Sequence, residues 1–362
     1  MMNISHLYQP PRTSAHAHCS AAGETYFINL RFLLIVCVVI GNMLEPLIHH
    51  SDVAHGIFLW IFSFHMPLFV LVTGYFARSN LYGRTGLKIL RTIGLQYILF
   101  QSIYSLLDFT VFRVHGITHS FFAPYLLLWF LAGHILWRLM MIMMRQLTFA
   151  QQLTLSVVLG LLVGSLPVDG VWLALSRTLI YFPFFIIGYH FRFERFTAWF
   201  HSYRQLLAAG LSIILLAGFV LAEWQLNTGW FYGNQTFIQL GVDLWQGLAG
   251  RLGMYVLQLI ASLAFLAFVP WRSHYITELG RRTLYVFLLH GLLVRTMEAS
   301  GMFGHISSTT GVMLMIVLAI LITLLLAQPA VRHWTHYWVE PELPRYVRLK
   351  FRHAQRRYSF LR

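Results

Sequence analysis

Apolar runs of about twenty residues recur along this chain, separated by short polar breaks, and each is long enough to cross a bilayer core as a helix. Only 10% of the residues are charged, whereas the surface of a soluble domain demands roughly 25%. With 58% hydrophobic residues, the chain cannot clothe a water-facing exterior. Soluble enzymes, disordered chains and disulfide scaffolds are excluded. What remains is an all-α polytopic membrane protein.

Ten spans are expected, near 28–48, 54–76, 87–107, 121–144, 152–168, 171–190, 205–222, 245–269, 279–297 and 309–329. They leave an N-terminal tail, 1–27, a membrane domain, 28–329, and a basic C-terminal tail, 330–362. Neither sheet-like alternation nor an internal repeat is visible. The basic residues alternate with the spans. One side collects Arg12 and Arg31, then Arg78, Arg84, Lys88 and Arg91, then Arg138 and Arg145. Arg192, Arg195, Arg204, Arg272, Arg281, Arg282 and the tail from Arg332 to Arg362 follow on the same side. Of 26 basic residues only Arg113, Arg177, Arg251 and Arg295 fall opposite, together with Asp52, Asp108, Asp169, Glu223 and Asp243. The positive-inside rule then puts both termini in the cytoplasm.

The net charge of +14 therefore speaks of orientation and membrane lipids, and no nucleic-acid partner is expected. The tail RYVRLKFRHAQRRYSFLR suits anionic headgroups. Residues 1–27 lack an apolar signal core, and EPLIHHSD after the first run offers no small-residue cleavage site, so no processing is expected. Cys19 lies in a polar tail and Cys37 in an apolar run, which argues against a structural disulfide.

Ionisable groups at membrane depth are costly and usually functional. The candidates are Arg31, Asn42 and Glu45 on the first span, His65 on the second, His134 on the fourth, Arg177 on the sixth, Arg251 on the eighth and His290 on the ninth. Arg31 and Asn42 share a helix face about 16 Å apart, with Glu45 beside Asn42. The competing reading sends Arg31 to the headgroups and Glu45 to the outer interface. His65 precedes Pro67 and Gly74 in SFHMPLFVLVTG, a helix suited to a cavity wall, and an imidazole there can act as general base. The alternative for His65 is a hydrogen bond to a neighbouring helix. His134, without polar company in WFLAGHILW, reads as core filling, and His290 is open between core and site. Arg84, Lys88 and Arg91 recur at helical spacing, which fits either phosphate binding or the positive-inside rule alone. Trp224, Trp230, Phe231 and Tyr232 can stack on sugars or form an interfacial belt.

Taken in order, TYFINLRFLLIVCVVIGNMLEPL, SFHMPLFVLVTGYF, SRTLIYFPFFIIGYHF and ELGRRTLYVFLLHG resemble the acyltransferase-3 family of integral membrane acyltransferases. Within it, the chain is most similar to the fucose 4-O-acetylase-like branch, which includes exopolysaccharide O-acetyltransferases. The likeness runs from residue 25 to about 329. It implies ten core helices in a bacterial inner membrane and acetyl-CoA as acyl donor, without a metal. The acceptor it implies is a hydroxyl of an envelope or exported polysaccharide, or of its lipid-linked precursor, with polysaccharide-assembly proteins as possible partners. Arg31 matches the family's first-helix arginine, and Lys88 and Arg91 match a basic pair implicated in handling acyl-CoA, next to Arg84. Arg177 and His290 fall in blocks typical of the branch, and Arg177 and Arg251 would meet an acidic glycan or the thioester near the outer face.

One position departs from the family. The histidine usual eleven residues after the first-helix arginine is Asn42 here. An amide cannot serve as base, although it can orient a substrate or donate to an oxyanion. His65 is the expected substitute base, with Glu45 second. Two other readings stay open: a proton-coupled carrier using His65, His290 and Glu45, and a catalytically inactive assembly partner.

Overall fold

A computed structural model describes residues 20–112, 120–166, 172–201, 203–221 and 226–341. Arg12, Cys19, Arg113, Asp169, Glu223, Trp224 and the basic stretch 342–362 lie outside the described residues, as does the expected meeting point of the fifth and sixth spans at 167–171. Fourteen α-helices carry the described chain: α1 (Ala21–Leu44), α2 (Asp52–Ala77), α3 (Gly83–Leu107), α4 (Trp129–Met143), α5 (Phe149–Leu162), α6 (Leu175–Tyr189) and α7 (Phe193–Trp199). They continue with α8 (Tyr203–Leu221), α9 (Gly229–Tyr232), α10 (Leu244–Phe265), α11 (Tyr275–Gly280), α12 (Thr283–Ala299), α13 (Thr309–Leu326) and α14 (Pro329–Val339). The only β feature among the described residues is an isolated bridge between Ser120 and Ala123.

Seven helices are long and apolar enough to cross a membrane, and the protein is an all-α, multi-pass membrane protein. The other three expected spans are helical too, but each falls short of that measure for a visible reason. α3 carries Arg84, Lys88, Arg91, Gln96 and Gln101, the apolar stretch Phe149–Ser165 is short, and α12 has only 17 residues. α1 begins at Ala21, inside the expected tail, because the Ser20 hydroxyl caps it by accepting the Gly23 N–H at 3.2 Å. At the other end the expected tail starts as a helix, α14, tied to the bundle where Gln96 Nε2 donates to the Val339 carbonyl at 2.9 Å.

α2 is the central element and packs against α6, α1, α10 and α8. Its closest approach is to α6, where the two helices meet glycine to backbone. A Cβ on Gly74 would run into the Phe185 carbonyl, and one on Gly188 into the Leu71 carbonyl. Small residues of this kind let helix backbones touch where lipid offers no hydrophobic drive for association. Polar ties do the rest. Asn29 Nδ2 donates to the Pro270 and Arg272 carbonyls, both at 2.9 Å, while its Oδ1 accepts from Thr277 Oγ1 at 2.6 Å. Around Pro183 of α6, the Thr178 and Ile180 carbonyls accept from Trp137 Nε1 at 2.7 Å and Tyr255 OH at 2.9 Å. α8 stays at the periphery and turns Leu206, Leu207, Ile213 and Ile214 outward.

Candidate functional site

One face of α1 repeats Arg31, Ile35, Val38, Asn42 and Glu45, the three-and-four spacing of a single stripe. That stripe forms one wall of a cavity of about 430 Å³. α2 supplies a second wall from Phe62 to Ala77, roughly 22 Å of helix, so the cavity is elongated along the bundle. α4 adds Phe130, His134 and Arg138, α6 adds Arg177 and Tyr181, and α12 adds Thr283 and Phe287. The wall is mainly apolar, and its ionisable groups fall into two ends and a middle.

At one end Arg31 Nη2 donates to Thr283 Oγ1 at 2.7 Å, and its guanidinium lies 5.8 Å from the centre of the Phe76 ring. Arg31 faces the cavity. Arg138, counted among the basic residues of one membrane side, is in α4, 2% exposed, and donates to the backbone and side-chain oxygens of Asn80, both at 2.6 Å.

His65 lies one turn inside the Phe62 end of the α2 wall and is 4% exposed. Its Nδ1 sits 2.8 Å from the Ile61 carbonyl, which can only accept, so Nδ1 carries the proton and Nε2 keeps its lone pair. The edge of Phe62 packs against the ring, with centroids 4.4 Å apart. This is the tautomer that a general base needs. The alternative of a bond to a neighbouring helix does not hold, since the anchoring carbonyl is on α2 itself.

Asn42 shares the cavity wall with His65. Its Nδ2 donates to the Val38 carbonyl at 2.9 Å and faces His290 Nε2 at 3.3 Å. His290 Nδ1 is engaged by the Val286 carbonyl at 2.9 Å, so its Nε2 accepts. Both partners of the amide nitrogen are acceptors, which fixes the orientation of the amide. The expectation that Asn42 could donate to an oxyanion is therefore corrected: both N–H groups are occupied, and Oδ1 is what remains. His290 is fully buried behind Asn42 and is not on the cavity wall.

The other end holds Glu45, Arg177, Trp129, Phe231 and Tyr232. Tyr232 OH donates to Glu45 Oε1 at 2.6 Å. The Arg177 guanidinium lies 5.2 Å from the Trp129 ring centre and 6.0 Å from that of Tyr232. Arg251 does not join it. It is 1% exposed on α10, donates from Nη1 to the Trp230 carbonyl at 3.3 Å and lies 5.3 Å from the Trp230 ring centre, behind the cavity wall. The expected substrate contact by Arg251 is replaced by a tie to the short helix α9.

Arg84, Lys88 and Arg91 are exposed on α3, and the same helix turns Ile89, Ile93 and Gln96 to the cavity. The basic triplet is thus on the surface rather than in the wall. His134, read as core filling, is on the wall instead, with its Nε2 sealed from the cavity and unpartnered. A signal for it existed: His134 and Arg138 are four apart in an apolar run and share a face. Among the described residues no group of three His, Cys, Asp or Glu could hold a metal ion. Compared with protein-family models, curated proteins and solved structures, the chain matches none.

Proposed function

We propose that this protein is a membrane O-acyltransferase that moves an acetyl group from acetyl-CoA to a hydroxyl of an envelope or exported glycan, or of its lipid-linked precursor. The observation that carries the reading is His65, an imidazole with Nε2 free of its proton, on the wall of an elongated cavity with arginines at both ends. A cavity of this shape lets a donor from one side and an acceptor from the other meet beside His65, toward the Glu45 end. The resemblance of the four sequence blocks to membrane acyltransferases supports the same chemistry.

In this reading ten helices cross a bacterial inner membrane with both termini in the cytoplasm. The surface cations Arg84, Lys88 and Arg91 attract the donor's phosphates, and Arg31 and Arg138 guide its thin arm inward. The acceptor oxygen attacks the thioester carbonyl as His65 Nε2 takes its proton. A C–O bond forms, the tetrahedral intermediate collapses, the C–S bond breaks, and the imidazolium returns a proton to the departing thiolate. Asn42 Oδ1 accepts an N–H or O–H of a substrate and so orients it. Asn42 held by His290 replaces a base with a positioning group, and the base moves across the cavity to α2.

Membranes carrying the wild type or His65→Ala, given labelled acetyl-CoA and an envelope-glycan extract, test this. Label should enter glycan with the wild type and fall by roughly 100-fold or more in the variant, the range for loss of a general base. Unchanged transfer in the variant removes His65 as base. No transfer by folded wild type in the presence of acceptor removes the enzyme.

A further inference from the structure

The arginines at the two ends of the cavity are held differently. Arg31 and Arg138 each spend donors on protein oxygens, those of Thr283 and Asn80. Arg177 donates no hydrogen bond to any described residue, and no described carboxylate comes within ion-pair distance of it. Its guanidinium lies 5.2 Å from the Trp129 ring centre and 6.0 Å from that of Tyr232, and of its nitrogens only Nε is sealed and unpartnered. Glu45, the one carboxylate on the cavity wall among the described residues, is turned to Tyr232 OH. Two residues before Tyr232, Trp230 holds Arg251, whose Nε and Nη2 are likewise buried without partners.

A desolvated guanidinium without a carboxylate in contact is costly, and Glu45 acts on Arg177 only from beyond ion-pair distance. Here Arg177 stands at the cavity wall with Glu45 turned to Tyr232, while Arg251 is sealed behind that wall. A guanidinium packed against aromatic rings keeps its N–H edge for a partner, and that edge matches a carboxylate or phosphate in bidentate fashion. Trp129, Tyr181, Phe231 and Tyr232 surround the position with ring faces and edges on which a sugar ring packs.

We propose that the acceptor is an anionic saccharide, whose carboxylate or phosphate is clamped by Arg177 while its hydroxyl is presented toward His65. The proposal rests on the acyl-transfer reading and deepens it by naming the substrate class. Glu45, held by Tyr232, then accepts from a sugar hydroxyl rather than neutralising Arg177.

The test uses the full chain in nanodiscs, with labelled glucose, glucuronic acid and glucose 1-phosphate as binding probes and as acceptors from acetyl-CoA. One of the two acids should bind roughly 10- to 100-fold more tightly than glucose, and which one it is separates a uronate-type acceptor from a phosphate-linked one. Arg177→Gln should collapse that ratio, and Arg177→Lys, which keeps charge but loses the fork, should retain part of it. Neither acid binding better than glucose overturns the proposal, as does a preference that survives in folded Arg177→Gln. Charge-selective binding without any acyl transfer keeps the anion site and removes the enzyme reading. Acyl transfer without charge preference does the reverse.

Discussion

Asn42 and His290 are a closed unit in which each nitrogen has one job. The amide donates to Val38 and to His290, and His290 spends its own proton on Val286. Asn42→Leu leaves the His290 Nε2 lone pair buried with nothing to accept from, a loss of about 1–3 kcal/mol of stability. Removing both partners, as Asn42→Leu with His290→Phe, should be less damaging than the single changes predict when summed. Thermal unfolding of the purified protein across this double-mutant cycle checks it, and strict additivity would show the pair is not coupled. At this scale the sequence was legible where a polar residue interrupts an apolar run, which is why Arg31, Asn42 and His65 stood out as candidates. It was mute where the answer depends on helix rotation. Arg177 and Arg251 look alike as lone arginines in apolar company, yet one faces the cavity and the other is sealed behind it. His134 read as core filling because the rotation that turns it to the cavity is set by the helices around α4, not by its own composition.

Helix pairing rests on where a backbone can be approached. α2 and α6 cross at Gly74 and Gly188, and at each the obstacle to a Cβ is a carbonyl of the partner helix, which cannot swing aside as a side chain can. Gly74→Ala or Gly188→Ala should cost about 1–3 kcal/mol, as overpacking does, and widen the α2–α6 spacing on which the positions of His65 and Arg177 depend. Gly210→Ala and Gly218→Ala are the internal controls. Both lie in the peripheral α8 with nothing within 4 Å of an added Cβ, so they should be neutral or slightly stabilising. Half-inactivation temperatures in detergent compare the four. A cost at Gly210 or Gly218 equal to that at Gly188 would mean the loss does not come from the α2–α6 backbone contact. The helices themselves were readable because each apolar run is bounded by polar residues, and all ten expected spans correspond to helices. The short helices α7, α9, α11 and α14 were not, since four to eleven residues carry too little periodicity to separate a turn of helix from a loop.

The cavity has a direction only if the molecule does, and charge is what orients it. Basic residues gather at the end where α1 begins, while Glu45 and Arg177 mark the far end. That asymmetry was available in the sequence, because the positive-inside rule needs only loop charge and not packing. What the sequence did not contain is that the two ends communicate, since the cavity arises from stripes on α1, α2, α4, α6 and α12 meeting in space. Orientation and cavity together make a prediction for accessibility. In a background lacking Cys19 and Cys37, a cysteine at His49, exposed between α1 and α2, should react with an impermeant maleimide in intact cells. One at Ser79, exposed between α2 and α3, should react only in inverted membrane vesicles. The reverse pattern would turn the molecule over, bring Arg177 to the cytoplasmic side and exchange the roles of the two ends. Donor phosphates would then meet the Arg177 aromatic box first, and the basic triplet of α3 would have no acyl-CoA to attract. The pair of labels thus decides whether one cavity can take donor and acceptor from opposite sides in the order that His65 requires.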